Sequence, residues 1–231
     1  MKHYENSDLL IADIAKISPE TLLSFSCGKD ALAAWLAMRG KFERIVPYYM
    51  YLIPELEFVQ ESISMYEQFF DTKIYQYPTP ALYRMLNAGV LQSPNRLSVI
   101  ENFGFEEYDR DDVSRACIED SGINELAYTA IGNRINDNLV RRMSFNRFGA
   151  INEKRRTFWP VFDWTNDRLT KEFRKAKIKL PIDYQMFGRS FDGLNIRYLY
   201  PIKQNFPRDF QKILEWFPLA DLEIFRYEHQ L

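Results

Sequence analysis

The chain has few of the residues that bind transition metals or form disulfides. Two of its 231 residues are Cys and two are His. A four-Cys iron–sulfur cluster, a Cys/His zinc site and a Ser-His-Asp triad would each need residues that this chain barely has. Cys27 and Cys117 make no disulfide framework, which fits a reducing cytoplasm. These shortages predict a cytoplasmic protein with no iron–sulfur cluster and no zinc. After these exclusions, the remaining possibility is phosphate chemistry, either without a metal or assisted by Mg²⁺.

Long hydrophobic runs and a strong net charge are also absent. The longest apolar stretch, residues 45–53, is far shorter than a membrane span and contains Pro47. The first 20 residues lack the basic and apolar regions of a signal peptide. We therefore expect no membrane partner. The formal net charge of −2 does not indicate nucleic acid, although nucleic acid stays open as a partner.

The most informative segment is a short apolar strand that leads through a Ser/Gly turn into a helix. It reads Ser24-Phe25-Ser26-Cys27-Gly28-Lys29-Asp30. Such a junction directs backbone N–H groups and the positive end of the helix dipole at one point, which is a seat for phosphate. The Ser hydroxyls and Lys29 add donors, Gly28 permits close approach, and Asp30 orients Mg²⁺ or caps the helix. The alternative is an ordinary turn with a solvated Lys-Asp pair.

A second group of candidate residues follows a strand predicted at 126–131. Gly132 ends this strand, and Arg134, Arg141 and Arg142 follow where the chain can turn back toward the first loop. A guanidinium matches two oxygens of a phosphate or sulfate at once. We therefore predict that Arg134, with Arg141 or Arg142, binds the terminal anion of a nucleotide or the acidic end of a second substrate. The alternative is a solvated basic helix, which is our interpretation of the cations in residues 147–156.

A third segment, residues 158–169, combines two Trp residues with a helix start. Asp163 or Thr165 is predicted to cap a helix over 166–177, and Trp159 and Trp164 supply buried surface. Taken one at a time, these residues have structural roles. Their order in the chain, after the first two segments, is what points to a protein family.

Together the three segments resemble the PP-loop ATP pyrophosphatases, and especially their phosphoadenosine phosphosulfate (PAPS) reductase-like branch. Their motifs read S-F-S-G-G-K-D-S, G-x-R-x-x-E-S-x-x-R and P-L-x-D-W-T-x-x-D-V. Two positions depart from the first motif, Cys27 for Gly and Ala31 for Ser. The change at Cys27 is tolerated if its φ is negative, whereas Ala31 removes a hydroxyl donor. The resemblance implies ATP or PAPS as the bound adenine nucleotide, and compact members of this kind occur in phages.

Strands and helices alternate along the N-terminal part of the chain, which predicts an α/β fold with a parallel twisted sheet and helices on both faces. Further strands are predicted at 44–51 and 73–78, with helices at 54–70, 80–87 and 110–121 and a loop-like region at 87–112. We expect a Rossmann-like nucleotide-binding domain at 1–185. The remaining residues, 186–231, are predicted to form a helical extension that packs on this domain or serves a homodimer.

Two classes of function follow from this resemblance. The first is an enzyme that cleaves ATP between its α and β phosphates and adenylates an acceptor that the sequence does not identify, in sulfate activation or sulfur chemistry on nucleic acids. The second is a nucleotide-sensing or interaction protein without turnover. A thioredoxin-dependent PAPS reductase is disfavoured, because that family uses a Cys near its C-terminus and this chain has no Cys after Cys117.

Overall fold

The computed structural model describes residues 4–229. Within that range the chain forms six strands: β1 Glu20–Ser24, β2 Arg44–Tyr51, β3 Tyr75–Pro78, β4 Tyr128–Ile131, β5 Ile151–Asn152 and β6 Thr157–Phe158. The same residues form twelve helices: α1 Ser7–Ile17, α2 Lys29–Met38, α3 Glu57–Phe70, α4 Pro80–Asn87, α5 Pro94–Phe103, α6 Arg110–Ser121, α7 Leu139–Phe148, α8 Asn166–Ala176, α9 Ile182–Phe187, α10 Ile196–Asn205, α11 Pro207–Trp216 and α12 Ala220–Glu228.

The strands form one mainly parallel sheet in the order β3-β2-β1-β4-β6-β5. β1 pairs in parallel with both β2 and β4, β4 pairs in parallel with β6, and the short β5 is antiparallel to β6. The register sets Ser24, the last residue of β1, opposite Ile131, the last residue of β4. The loops that follow these two strands therefore leave the same edge of the sheet side by side, at the point where the strand order reverses. Open α/β sheets bind their ligands at this point. The predicted α/β fold is confirmed.

The chain packs as two units. The first comprises described residues 4–49, 70–75 and 111–180, and the second comprises 50–69, 76–110 and 181–229. The domain division predicted at 185/186 lies close to the last of these changes, at 180/181, but the second unit also includes two earlier segments. The division into a nucleotide-binding domain and an extension stays a prediction.

The first unit has its core around α2. This helix buries a run of small side chains and Leu32, and its Trp35 stacks on Phe70 with ring centroids 3.7 Å apart. Phe25, in the loop before the helix, meets Trp35 edge to face at 5.1 Å. Aromatic pairs in these geometries add stability beyond the area that they bury. The packing of α2 thus fixes the position of its own N-terminus.

The second unit contains a buried carboxylate that caps a helix. Asp209, on α11, is fully buried and accepts hydrogen bonds from the backbone N–H groups of Glu57, at 2.7 Å, and Phe58, at 3.2 Å. These groups open α3 and have no acceptor within their own helix. The helix was predicted to begin at Pro54. It begins three residues later, because Glu55 has a left-handed φ of 58°.

Two helical regions differ from the sequence prediction. The region predicted as loop at 87–112 contains α5, which begins with Pro94. The helix ends before Gly104, whose φ of 59° is left-handed. The aromatic stretch at 206–225 forms two helices, α11 and α12, because Pro218 interrupts it. Among residues 4–229, no helix has the length and apolar character that a membrane crossing requires.

We predict that Asp209→Ala lowers the free energy of unfolding by roughly 2–4 kcal/mol, because it leaves two N–H groups of α3, one of them buried, without an acceptor. Chemical denaturation followed by circular dichroism measures the loss. Asp209→Asn keeps one acceptor oxygen and should lose clearly less. Equal stability of Asp209→Ala and the parent would show that the cap contributes nothing.

Candidate anion-binding site

The loop between β1 and α2 ends in an N-cap without a side chain. Gly28 occupies the cap position with φ −81° and ψ 159°, and its carbonyl accepts the N–H of Leu32 at 3.0 Å. The first N–H groups of a helix have no intrahelical acceptor, and no side chain caps this helix. The N–H groups and the positive end of the dipole therefore point outward from the first turn, as a phosphate seat requires. We call residues 24–30 the anion loop.

Phe25 anchors this loop from below. Its N–H donates to the carbonyl of Tyr48 on β2, at 2.8 Å, and its ring is buried against Trp35. Ser24 is half-buried at the end of β1, and Ser26 is exposed. Of the two hydroxyls predicted to bind phosphate, that of Ser26 is thus the more accessible to solvent.

Cys27 adopts a backbone conformation that the sequence analysis did not anticipate. Its φ is +55°, in the left-handed region, and its side chain is buried. We expected that Cys is tolerated here if its φ is negative, and this condition is not met in this chain. A side chain in this region costs roughly 1–2 kcal/mol, and only Gly avoids it. Gly is therefore favoured at this position, and Cys raises the conformational free energy of the loop relative to Gly.

Gly132 brings the loop after β4 against the first turn of α2. A Cβ added to Gly132 would lie 2.6 Å from both the carbonyl carbon and oxygen of Asp30 and 2.7 Å from the backbone nitrogen of Ala31. These atoms belong to the backbone and cannot rotate away. Only Gly allows this approach, which brings the loop after β4 against the anion loop, and the binding role of Gly132 stays a prediction.

Arg134 is buried and donates three hydrogen bonds within its unit. Its side chain is 2% exposed. Its Nε donates to Oδ1 of Asp30 at 2.5 Å, and its Nη1 donates to the carbonyl of Trp164 at 3.3 Å and to Oδ1 of Asn166 at 3.0 Å. The guanidinium therefore links the first turn of α2 to the start of α8. Its predicted contact with a substrate anion stays a prediction.

Four charged side chains form a closed ring at the anion loop. Lys29 contacts Asp30 at 2.7 Å and Asp137 at 3.7 Å, while Arg134 contacts Asp30 at 2.5 Å and Asp137 at 3.6 Å. We call these four residues the ion-pair ring. Its two cations and two anions balance, so an entering phosphate must replace a carboxylate beside Lys29.

The sequence analysis did not identify Asp137 as a site residue. Its position in the sequence matches the Glu of the G-x-R-x-x-E pattern, and this match was the signal that could have identified Asp137.

Arg141 and Arg142 lie on α7, which Asn138 caps and which buries none of its side chains. Both are exposed, and neither guanidinium pairs with another group in the part of the chain that the structure describes. The structure thus brings Arg134 to the loop and does not bring Arg141 or Arg142 into the ring.

The third predicted segment supports the ring through α8. Thr165 caps this helix, because its Oγ1 accepts the N–H of Arg168 at 3.2 Å. Asp163 instead accepts the N–H of Ser7 on α1 at 3.3 Å. Trp164 is buried as predicted, and its carbonyl is one of the acceptors that hold Arg134.

Solved structures of three proteins resemble this fold. They are a phosphoadenylyl-sulfate reductase from Candida auris in a phosphate complex (11% identity, 82% of this chain and 88% of that chain, TM-score 0.49), an NH3-dependent NAD synthetase from Campylobacter jejuni with nitrate (14%, 95% and 93%, 0.47), and the U34-tRNA thiolase of Methanococcus maripaludis with its [4Fe-4S] cluster (10%, 93% and 79%, 0.44). The first is a reductase of the kind that the sequence motifs resemble. Identities and TM-scores this low transfer no residue role. No family model and no curated protein matches the sequence.

The cofactor prediction made from the sequence is wrong. It excluded an iron–sulfur cluster and zinc, whereas one of the structures just described, the thiolase, holds a [4Fe-4S] cluster. It also assigned Mg²⁺ to Asp30, but Arg134 and Lys29 occupy the two oxygens of that carboxylate. Among residues 4–229, no group of three or more His, Cys, Asp or Glu side chains could hold a metal ion.

We predict that Gly132→Ala destabilises the fold by roughly 1–3 kcal/mol, because the new Cβ overlaps the backbone of Asp30 and Ala31. It should also weaken anion binding, since the first turn of α2 has to shift. Gly193→Ala is the matched control, because its Cβ would meet only side-chain atoms of Asn195 and Tyr198, at 3.8 Å. Thermal unfolding of both variants gives the comparison, and equal stabilities would contradict the close approach.

We predict that Asp137→Asn raises the affinity for pyrophosphate about two- to fivefold. The substitution removes a negative charge beside Lys29 and Arg134, and partly exposed ion pairs of this kind contribute roughly 0.2–1 kcal/mol. Calorimetric titration with pyrophosphate measures the change. Asp167→Asn removes an equal charge from the exposed first turn of α8 and should leave the affinity unaltered. Unchanged or weaker binding by Asp137→Asn would show that Asp137 does not compete with the anion.

Proposed function

We propose that the protein binds ATP through the anion loop, cleaves it between the α and β phosphates and transfers the adenylyl group to an acceptor. The observation that carries the proposal is the approach of Gly132 to an uncapped helix N-terminus that holds Lys29 and is braced by Arg134. This combination concentrates N–H donors, a helix dipole and a cation at one edge of the sheet, which is the arrangement that binds a pyrophosphate group.

The chemistry follows from the position of the charges. An acceptor oxygen attacks the α-phosphorus, the bond from that phosphorus to the bridging oxygen of the β-phosphate breaks, and pyrophosphate leaves with the electron pair of that bond. Negative charge therefore grows on pyrophosphate. N–H groups of the first turn of α2 and the ammonium of Lys29 lie where they can stabilise this charge. Asp30 and Arg134 act as positioning residues, because their ion pair holds that turn in place.

A second candidate function is nucleotide binding without turnover. Two observations favour it: Ala31 supplies no hydroxyl in the first turn of α2, and the ring balances both cations with carboxylates. A balanced ring gives the loop a weaker positive field than two unpaired cations would. The two candidates differ in a single observable, the release of pyrophosphate from bound ATP.

A thiol-dependent reduction of PAPS is the least favoured function. Cys27 is 3% exposed, and Cys117, on α6, is 0% exposed. A thiolate must reach the sulfur of its substrate to attack it, and neither side chain is accessible in this conformation. The burial of Cys117 is that of a core residue.

We predict that Lys29→Ala lowers the affinity for ATP at least tenfold, about 1.4 kcal/mol, because the loop loses its one partly exposed ammonium. Calorimetry with ATP measures binding, and a phosphate-release assay coupled to pyrophosphatase measures turnover. Lys41→Ala, which removes an exposed ammonium beyond the end of α2, is the control. ATP binding with no pyrophosphate release under any acceptor tested would favour the second candidate. Equal ATP affinity of Lys29→Ala and the parent would contradict both.

A further inference from the structure

An open cleft of about 630 Å³ adjoins the ion-pair ring. Lys29 and Asn166 line its edge, and both belong to the contacts around Arg134 or Asp30 described above. Its volume falls within the range of roughly 300–1,000 Å³ that is typical of small-molecule sites. The remaining lining comes from α8 and the residues directly after it, so the whole cleft lies within the first unit. We call it the α8 cleft.

The floor of the α8 cleft is apolar. Leu169 and Phe173, one helical turn apart on α8, form one part, and Ile178 and Leu180 form the other. Leu180 is partly exposed, at 38%. Apolar area that is open to solvent in this way gains free energy when a ligand covers it. The floor therefore fits a hydrocarbon or aromatic body better than a small inorganic ion.

Three cations surround this floor. Lys29 lies at the edge shared with the ion-pair ring, and Arg174 and Lys177 lie along α8 and at its C-terminal end. Within the described residues, no carboxylate pairs with Arg174 or Lys177, and both are exposed. No acidic residue lines the cleft. An apolar floor bordered by cations selects a ligand that carries both an apolar body and an anionic group.

Lys177 stands where the backbone favours Gly. Its φ is +54°, and the N–H groups of Lys177 and Ile178 donate to the carbonyls of Arg174, at 3.2 Å, and Phe173, at 3.1 Å. This is the helix ending that Gly normally occupies. A Lys here destabilises the fold relative to Gly, and strain of this kind concentrates at functional sites. The helix end therefore does not require the Lys177 side chain, which can be replaced by Gly without loss of the fold.

We propose that the α8 cleft binds an organic carboxylate with an apolar body, and that this acid is the adenylyl acceptor. The assignment of this acid as the adenylyl acceptor rests on the proposed function, whereas its binding in the α8 cleft does not. A carboxylate oxygen would attack the α-phosphorus of ATP and form an acyl adenylate, and the bond to the β-phosphate would break to release pyrophosphate. Lys29, shared by the cleft and the anion loop, is the group that brings the two reactants together.

Calorimetric titration with 2-naphthoate in the absence of ATP tests the cleft by itself. We expect binding that weakens at least tenfold in Arg174→Gln and in Lys177→Gly. The neutral analogue 2-naphthamide should bind at least tenfold more weakly than the acid. Lys175→Gln, on the same helix but outside the cleft, is the matched control and should bind as the parent does.

Lys177→Gly separates binding from folding. Because Gly relieves the left-handed conformation, its melting temperature should rise by about 2–4 °C while the affinity for 2-naphthoate falls. The proposal is overturned if 2-naphthoate does not bind, if 2-naphthamide binds equally well, if sulfate alone displaces it at similar concentration, or if Arg174→Gln and Lys177→Gly bind as the control does.

Pyrophosphate release is measured separately with ATP and 2-naphthoate together. Release that depends on the acid supports the acceptor assignment. Binding of the acid without any release from ATP overturns that assignment and leaves the cleft as a carboxylate site. Release from ATP that sulfate stimulates and 2-naphthoate does not would keep the proposed function and reject the carboxylate as acceptor.

Discussion

The buried ion pair between Arg134 and Asp30 is the interaction on which the rest of the site depends. It joins the loop after β4 to the first turn of α2, and the other donors of Arg134 reach the start of α8. Arg134 is 2% exposed, and without Asp30 its guanidinium would depend on the longer contact with Asp137, at 3.6 Å. Gly132 makes the same junction possible sterically, since any side chain there would overlap the backbone of α2. The geometry of the anion loop is therefore set from outside the loop.

The ion-pair ring has one part that is shielded from solvent and one part that faces solvent. Lys29 is 32% exposed and Asp137 is 35% exposed, whereas Arg134 is 2% exposed. The buried half of the ring, Arg134 with Asp30, fixes the structure. The solvent-facing half, Lys29 with Asp137, can exchange partners at little cost, because contacts near the surface are weak. We therefore expect a ligand phosphate to compete with Asp137 and to leave the contacts of Arg134 with Asp30 intact.

Local signals in the sequence were enough to predict the elements that position the site. Gly132 marked the end of β4, and the apolar run before Ser24 marked β1. The left-handed φ of Cys27 could not be predicted from the residue itself, because a residue with a Cβ disfavours that conformation. Asp137 matches a motif position, but its contact with Lys29, which lies more than 100 positions earlier in the chain, is visible only in the folded structure. Likewise, the α8 cleft exists only because α8 packs beside Lys29.

The most direct test of this account is a crystal structure of the protein with α,β-methylene-ATP, which resists cleavage between its α and β phosphates. The account predicts that the β- and γ-phosphates lie within about 3 Å of the backbone nitrogens of the first turn of α2. It also predicts that Lys29 contacts phosphate in place of Asp137, while Arg134 keeps its bond to Asp30. A nucleotide bound away from this turn, or a phosphate at the turn with Lys29 still held by both carboxylates, would contradict it.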